Sequence, residues 1–285
     1  MQPFFFFFGR RLTIGPLIII GGNEDKTHEG AILQRVVQLT QASSRQPILG
    51  VVTTASREGQ AAFSQYQKIF TELGLKEVLG LTVDSRREAS RAERVYAIRR
   101  CAMLFFSGGD QLRITSVLGG TLFHHVLLEE HRRGLAVAGT SAGASMMSDT
   151  MIVMGEGEKA PTKNTVQMAP GMGLWVGAVI DQHFSQRGRI GRLLSALAQN
   201  PGILGVGLDE DTAIEVRLAE HRLRVWGSRT VTLLDGSSVD ETNASESRAD
   251  RPLAITGVRL HVLPQGYDFD LNERLPGSLR DPRED

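Results

Sequence analysis

The sequence predicts an α/β protein with a mostly parallel sheet and helices on both of its faces. Two observations carry this: short apolar runs alternate with segments whose apolar residues recur at helical spacing, and Gly, Ser or Asn-Pro punctuates the boundaries. At 285 residues and 31.2 kDa the chain is long enough for a large core. With no internal repeat and no linker-like stretch, one domain over 14–271 is expected, preceded by an unstructured extension over 1–13 and followed by an unstructured tail over 272–285.

The elements follow in order. "PLIIIGG" reads as a buried strand ending in a glycine turn, and "THEGAILQRVVQLTQ" as the helix after it. "ILGVVTT" is a strand, "GQAAFSQYQKIFTELG" a helix with Gly74 just past its end, and "EVLGLTV" a strand. "SRAERVYAIRRC" is a helix with Ser90 at its N-cap position. "AMLFFSGG" and "LAVAGTS" are strands separated by the helices "DQLRITSVLGG" and "LFHHVLLEEHRRG". After Ser148 the pattern loosens: "TMIVMG" is a strand, "EGEKAPTKNTVQMAPGMG" is loop-like, and "VGAVIDQHF" is a strand. "RLLSALAQNPG" is a helix stopped at Asn200-Pro201, "ILGVGLDE" a strand, and "TAIEVRLAEHRLRVWG" a C-terminal β-hairpin. The tract "DGSSVDETNASESRADRP" is polar enough for a solvated loop.

Lys plus Arg equals Asp plus Glu at 32 each, so no bulk positive field draws nucleic acid or acidic lipid. The single cysteine, Cys101, forms no intrachain disulfide, and no Cys/His spacing of zinc type is present, which reads as a reduced, cytoplasmic chain with neither metal nor cofactor. The run Phe4–Phe8 has no basic residue before it and no small-residue cleavage site after it, unlike a secretory leader. No apolar run reaches the ~20 residues of a membrane span.

Ligands of an open parallel sheet collect beyond the carboxyl ends of its strands. Four polar clusters are expected there, on one side of one sheet: "GGNEDK", "SGGDQ", "GTSAG" and "DQHF". Gly139, Ser141 and Gly143 make a G-x-S-x-G elbow, a tight strand-to-helix turn that exposes a serine oxygen. A nucleophilic serine needs a base and oxyanion donors. His183 stands at a strand's carboxyl end and is the candidate base, whereas His124 and His125 fall on a helix. Candidate donors are the N–H groups of Ala142 and of Gly109 in the Gly108-Gly109 turn. For the acid behind the histidine, Glu156, Glu158 and Glu210 stay open. Arg187, Arg189 and Arg192 suit carboxylate recognition, and Asp110, Gln111, Asp181 and Gln182 suit cationic or amide groups.

"IIIGGNEDK", "TTASRE", "FFSGGDQLRI", "AGTSAGAS", "IDQHFSQRGRIGRLL" and "LGVGLDEDTA", in this order, resemble the cyanophycinase family of serine peptidases, which also holds aspartyl dipeptidase. The resemblance covers roughly Pro16 to Leu263. It implies a three-layer αβα, flavodoxin-like fold of the class I glutamine amidotransferase type, and a homodimer. It also implies exopeptidase cleavage of cyanophycin, a polyaspartate bearing arginine on its side chains, to β-Asp-Arg dipeptides. Ser141 then matches the nucleophile and His183 the base, with Gln111, Asp181, Gln182, Arg187, Arg189, Arg192 and Glu210 among the polar residues around substrate. The family acid comes from the loop after the elbow. There an ungapped reading places Lys159, and a one-residue shift brings Glu158, the expected acid, with Glu210 as its competitor. A second departure is Asn23, at a position where a small residue is common.

Other readings fit less well. A glutamine amidotransferase needs a cysteine at the elbow, an α/β-hydrolase a late histidine and a Gly-rich oxyanion loop, and a dinucleotide binder G-x-G-x-x-G after the first strand. A dipeptidase for short Asp-containing or isoaspartyl peptides, and a non-catalytic binding protein, are the standing alternatives.

Overall fold

The computed structural model describes residues 14–27, 30–155 and 160–277. The run Phe4–Phe8, Glu156 and Glu158 lie outside the described residues.

The first half of the chain alternates as expected: β1 (Leu17–Ile20), α1 (Ala31–Gln41), β2 (Ile48–Val52), α2 (Gly59–Glu72), β3 (Glu77–Gly80), α3 (Arg86–Ala89), α4 (Ala92–Arg100), β4 (Met103–Phe106), α5 (Gln111–Leu118), α6 (Leu122–His131), β5 (Ala136–Thr140) and α7 (Ala142–Ser145). Next come β6 (Thr150–Gly155), β7 (Val166–Pro170), β8 (Ala178–Gln182), α8 (Ile190–Gln199) and β9 (Leu204–Leu208). The chain closes with β10 (Thr212–Arg217), β11 (Arg222–Gly227), β12 (Thr230–Asp235), β13 (Arg259–Pro264), β14 (Asp268–Asp270) and β15 (Leu275–Pro276).

Among the described residues the main sheet runs β15-β14-β11-β10-β1-β5-β4-β2-β3. Its arm from β1 to β3 is parallel, and from β10 outward every pairing is antiparallel. Successive side chains of a strand point to opposite faces, and both faces are covered. Ile18 and Ile20 join Leu49, Val51, Met103 and Phe105 under the apolar stripes of α1 and α2. Leu17 and Ile19 join Val52, Leu104 and Phe106 under Ile98, Ile114 and Phe123 of α4, α5 and α6. The α/β class and the layered, parallel core predicted from the sequence are therefore present.

A second sheet, β13-β12-β9-β8, and the β6-β7 hairpin complete the fold. The second sheet sends Ile180, Val206, Leu208, Val231 and Leu233 into the same core as α4 to α6, and covers its other face with Leu193, Ala196 and Leu197 of α8. "DQHF" therefore ends a strand of this second sheet, whereas the other three polar clusters end strands of the main sheet.

Other local expectations change. Ser90 follows α3, and the serine cap is Ser85, whose Oγ accepts from the Glu88 N–H, while Arg91 precedes α4 without a side-chain cap. The stretch read as loop-like contains β7, paired with β6 across a bulge. Residues 272–277, expected in an unstructured tail, include β15 on the sheet edge, and Arg274 bonds Asp235 at 2.6 Å.

Candidate active site

β5 is buried throughout and ends in a turn so tight that Ser141 takes φ +53°, a backbone strain of roughly 1–3 kcal/mol held by its surroundings. The glycines on either side permit it. A Cβ on Gly139 would lie 2.3 Å from the Gly143 carbonyl oxygen, and one on Gly143 would lie 2.3 Å from that of Phe106. The Ser141 N–H donates to the Ile20 carbonyl at 3.0 Å, and its carbonyl accepts from the N–H of Ser145 in α7. The turn before it is braced from within: Thr140 Oγ1 donates to the buried carboxylate of Glu24 at 2.5 Å, which also accepts from Tyr66 and pairs with Lys26.

His183 comes from the second sheet and is fastened to the first. Its N–H donates to the Gly21 carbonyl at the end of β1, and the Asp211 N–H donates to the neighbouring Gly22 carbonyl, both at 2.9 Å. Glu210 lies between β9 and β10, where the chain leaves one sheet and enters the other. Its flanking carboxylates fix that crossing: Asp209 accepts from the Ser185 N–H and from Thr230, and Asp211 accepts from the Asp25 N–H and from Ser228.

The three groups meet in one line. Ser141 Oγ is 3.0 Å from His183 Nε2, and His183 Nδ1 is 2.8 Å from Glu210 Oε1. A carboxylate at Nδ1 requires the proton there, which leaves the Nε2 lone pair for the serine hydroxyl. Partial burial holds the imidazole below the ordinary histidine range against the opposing pull of Glu210, so it is neutral and basic at pH 7. The bond from His183 holds Glu210 below the usual carboxylate range, keeping it ionised.

The remaining predicted residues divide. Gly108 lies against Ser141, since a Cβ there would stand 3.5 Å from the serine Cβ, so the Gly108-Gly109 turn borders the hydroxyl; Ala142 starts α7 immediately after it. Asp110 caps α5, its Oδ1 accepting from the Leu112 and Arg113 N–H groups. Gln111 donates to the Ile152 carbonyl at 3.0 Å and so anchors β6, and Gln182 accepts from Ser145 at 2.6 Å.

Asp181 is fully buried beneath Arg189 and Arg192, whose guanidiniums both bond it. Arg192 is likewise 5% exposed and also donates to the Gly155 carbonyl, so this pair ties α8 to β8 and the β6-β7 hairpin. Burial pushes Arg189 down to about 10, still cationic at neutral pH. Arg187 alone of the three is exposed. Glu158, the expected acid, lies outside the described residues, and among the described residues the carboxylate that meets His183 is Glu210. Cys101 is buried, its thiol pushed up to about 12 by that burial. Among the described residues no cluster of His, Cys, Asp and Glu could hold a metal ion, and no helix is long and apolar enough to cross a membrane.

Comparison with known proteins identifies the family. The model of peptidase family S51 matches residues 17–224. A cyanophycinase of Thermosynechococcus vestitus is 38% identical over 258 residues, covering 90% of this chain and 79% of its own. One of Geminocystis herdmanii is 36% identical over 261 residues, covering 91% of this chain and 95% of its own. In fold, the chain is similar to the crystal structure of a peptidase from an acI-B1 Actinobacterium, with TM-score 0.68 at 22% identity over 91% of this chain and 98% of that one. A family match spanning the elbow, the histidine and the acidic crossing, together with relatives aligned along nine-tenths of the chain, places this protein in peptidase family S51, as a serine peptidase.

Proposed function

We propose that this peptidase hydrolyses cyanophycin from a chain end and releases β-Asp-Arg dipeptides. The observation that carries the reading is the hydrogen-bonded line Ser141–His183–Glu210 in a chain that aligns over 90% of its length with proteins named cyanophycinase.

Ser141, in a nucleophile elbow, attacks the backbone Asp-Asp carbonyl as His183 Nε2 takes its proton. The N–H groups of Ala142 and Gly109 receive the oxyanion. Collapse breaks the C–N bond, the departing amine takes the proton from His183, and an acyl-enzyme remains on Ser141. Water, deprotonated by the same imidazole, then releases the acid and restores the serine. Glu210 stabilises the imidazolium in both halves and stays ionised. No step requires a metal or a cofactor.

Each substrate repeat carries an arginine α-carboxylate and a guanidinium. Exposed Arg187 suits the carboxylate, with Arg189 behind it. A cleft of about 740 Å³, lined by Arg57, Asp110, Arg113 and Pro170 among others, adjoins the residue after the Gly108-Gly109 turn and offers room for further repeats. A homodimer in the cytoplasm completes the proposal; sedimentation of the purified chain as a monomer would remove the first part of it.

The test incubates the protein and a Ser141→Ala variant with cyanophycin, and separately with α- and β-linked Asp-Arg, and identifies products by mass. β-Asp-Arg released from polymer by the parent only is expected. Splitting of the free dipeptide with the polymer left intact would replace this reading by the dipeptidase, and no turnover of any of them by a non-catalytic binding protein.

A further inference from the structure

Asn23 sits in the turn after β1 with φ +47°, a left-handed conformation that asparagine tolerates better than most side-chained residues. Backbone demand alone would explain an asparagine or a glycine. Its amide, however, reaches outside the turn: Nδ2 donates to Glu210 Oε2 at 3.2 Å, while Oε1 of the same carboxylate accepts from His183 Nδ1 at 2.8 Å. Both oxygens of the acid are thereby engaged, one by the imidazole and one by Asn23.

The donor is well held. Gly21 and Gly22 exchange backbone bonds with Thr212 and Asp211, and the Asp25 N–H donates to Asp211 Oδ1 at 2.8 Å, so Asn23 is pinned from both sides to the segment that carries Glu210. Glu210 itself is only half-buried, on a stem with several rotatable bonds, and its N–H donates to Gln186. A carboxylate anchored through one oxygen can swing about that bond; a second anchor on the other oxygen fixes its plane.

We infer that Asn23 is a positioning residue of this peptidase, holding Glu210 Oε2 so that Oε1 stays on His183 Nδ1. The inference rests on the triad reading above. Asn23 touches neither the serine nor the imidazole nitrogen that accepts its proton, and it acts through Glu210.

Three variants test it on cyanophycin: Asn23→Gly, Asn23→Asp and Glu210→Gln, with the Asn23→Gly/Glu210→Gln double variant closing a cycle. Glycine keeps the left-handed turn unstrained and removes only the amide. Asn23→Gly is expected to lower kcat about 3- to 30-fold with apparent KM within about twofold. The groups facing the pair are Arg187 and Arg189 from the segment after β8, Asp209 and Asp211 flanking Glu210, and Asp25 beside Asn23; all are retained in every variant. The acid limb of kcat/KM should therefore move down in pH for Asn23→Gly, because a loosened Glu210 supports the imidazolium less. It should move up for Asn23→Asp, which sets a second carboxylate beside the first. In the Glu210→Gln background, Asn23→Gly should change kcat by less than about twofold.

Parent kcat with an unmoved limb in Asn23→Gly, or an equal loss in both backgrounds, overturns the inference. If the glycine variant failed to fold, the direction of the limb in Asn23→Asp decides. Near-parent turnover in Glu210→Gln would remove the triad reading itself, whereas an inactive Glu210→Gln beside an unaffected Asn23→Gly removes the role of Asn23 alone.

Discussion

His183 and Glu210 follow the adjacent parallel strands β8 and β9 of the second sheet, whose register pairs Gln182 with Leu208, and this sets Nδ1 2.8 Å from Oε1. Glu210→Gln replaces the carboxylate by a neutral amide and withdraws support from the imidazolium. A fall in kcat of about 10³–10⁴-fold is expected, against a larger one for Ser141→Ala, whereas Glu158→Gln should stay within a few-fold of the parent. Steady-state rates on polymer check it, and the reverse ranking of the two glutamates would reassign the acid.

The pH profile follows from burial of the imidazole. His183 works as a base only when neutral, and its pKa is held below the ordinary 6.5, so activity should be complete at neutral pH and lost as pH falls through a midpoint under 6.5. Glu210, held low, stays ionised throughout that window. A midpoint of kcat/KM above 7 would contradict this ordering of burial over the pull of the carboxylate.

Gly22 is small because the imidazole lies over it: a Cβ there would stand 2.4 Å from Cε1 and 2.6 Å from Nε2 of His183. Gly22→Ala must push the ring off the serine, and at φ +99° it also strains the turn. Activity should fall about 10²-fold or more while the melting temperature drops by only a few degrees. Parent-like turnover would show that the ring has room to shift without losing Ser141.

Asp181 separates a structural role from a binding role. Asp181→Asn leaves the guanidiniums of Arg189 and Arg192 in a buried site without their counter-charge, a loss of about 3–5 kcal/mol. Thermal unfolding should move down by roughly 10 °C. A substrate contact would instead raise KM and leave the transition in place.

Much of this protein was legible in its residues. The alternation "PLIIIGG", "ILGVVTT", "AMLFFSGG", "LAVAGTS" with amphipathic helices determined the layered core, because a parallel sheet covered on both faces needs that pattern. The glycines around Ser141 announced the turn, because any side chain at Gly139 or Gly143 would collide with a backbone carbonyl. Order along the chain also isolated His183 among seven histidines.

What the tertiary structure alone decided is which charges meet. β7 was hidden in a polar stretch whose pairing with β6 carries no local pattern, and nothing in "VGAVIDQHF" or "ILGVGLDE" says that these strands leave the main sheet for a second one. Glu210 and Asn23 are 187 residues apart, yet the Asn23 amide bonds the Glu210 carboxylate because the β9-β10 crossing packs on the β1 turn. Asp181 and Arg192 carry residue types that suit binding, and only the packing shows that they are buried together as an ion pair. Local sequence sets the strand, the turn and the reactive side chain, through sterics and periodicity that act over a few residues. The partner of a charge is set by which chain segments pair and pack together, and here the pairing of β8 with β9 in the second sheet brought the acid beside His183.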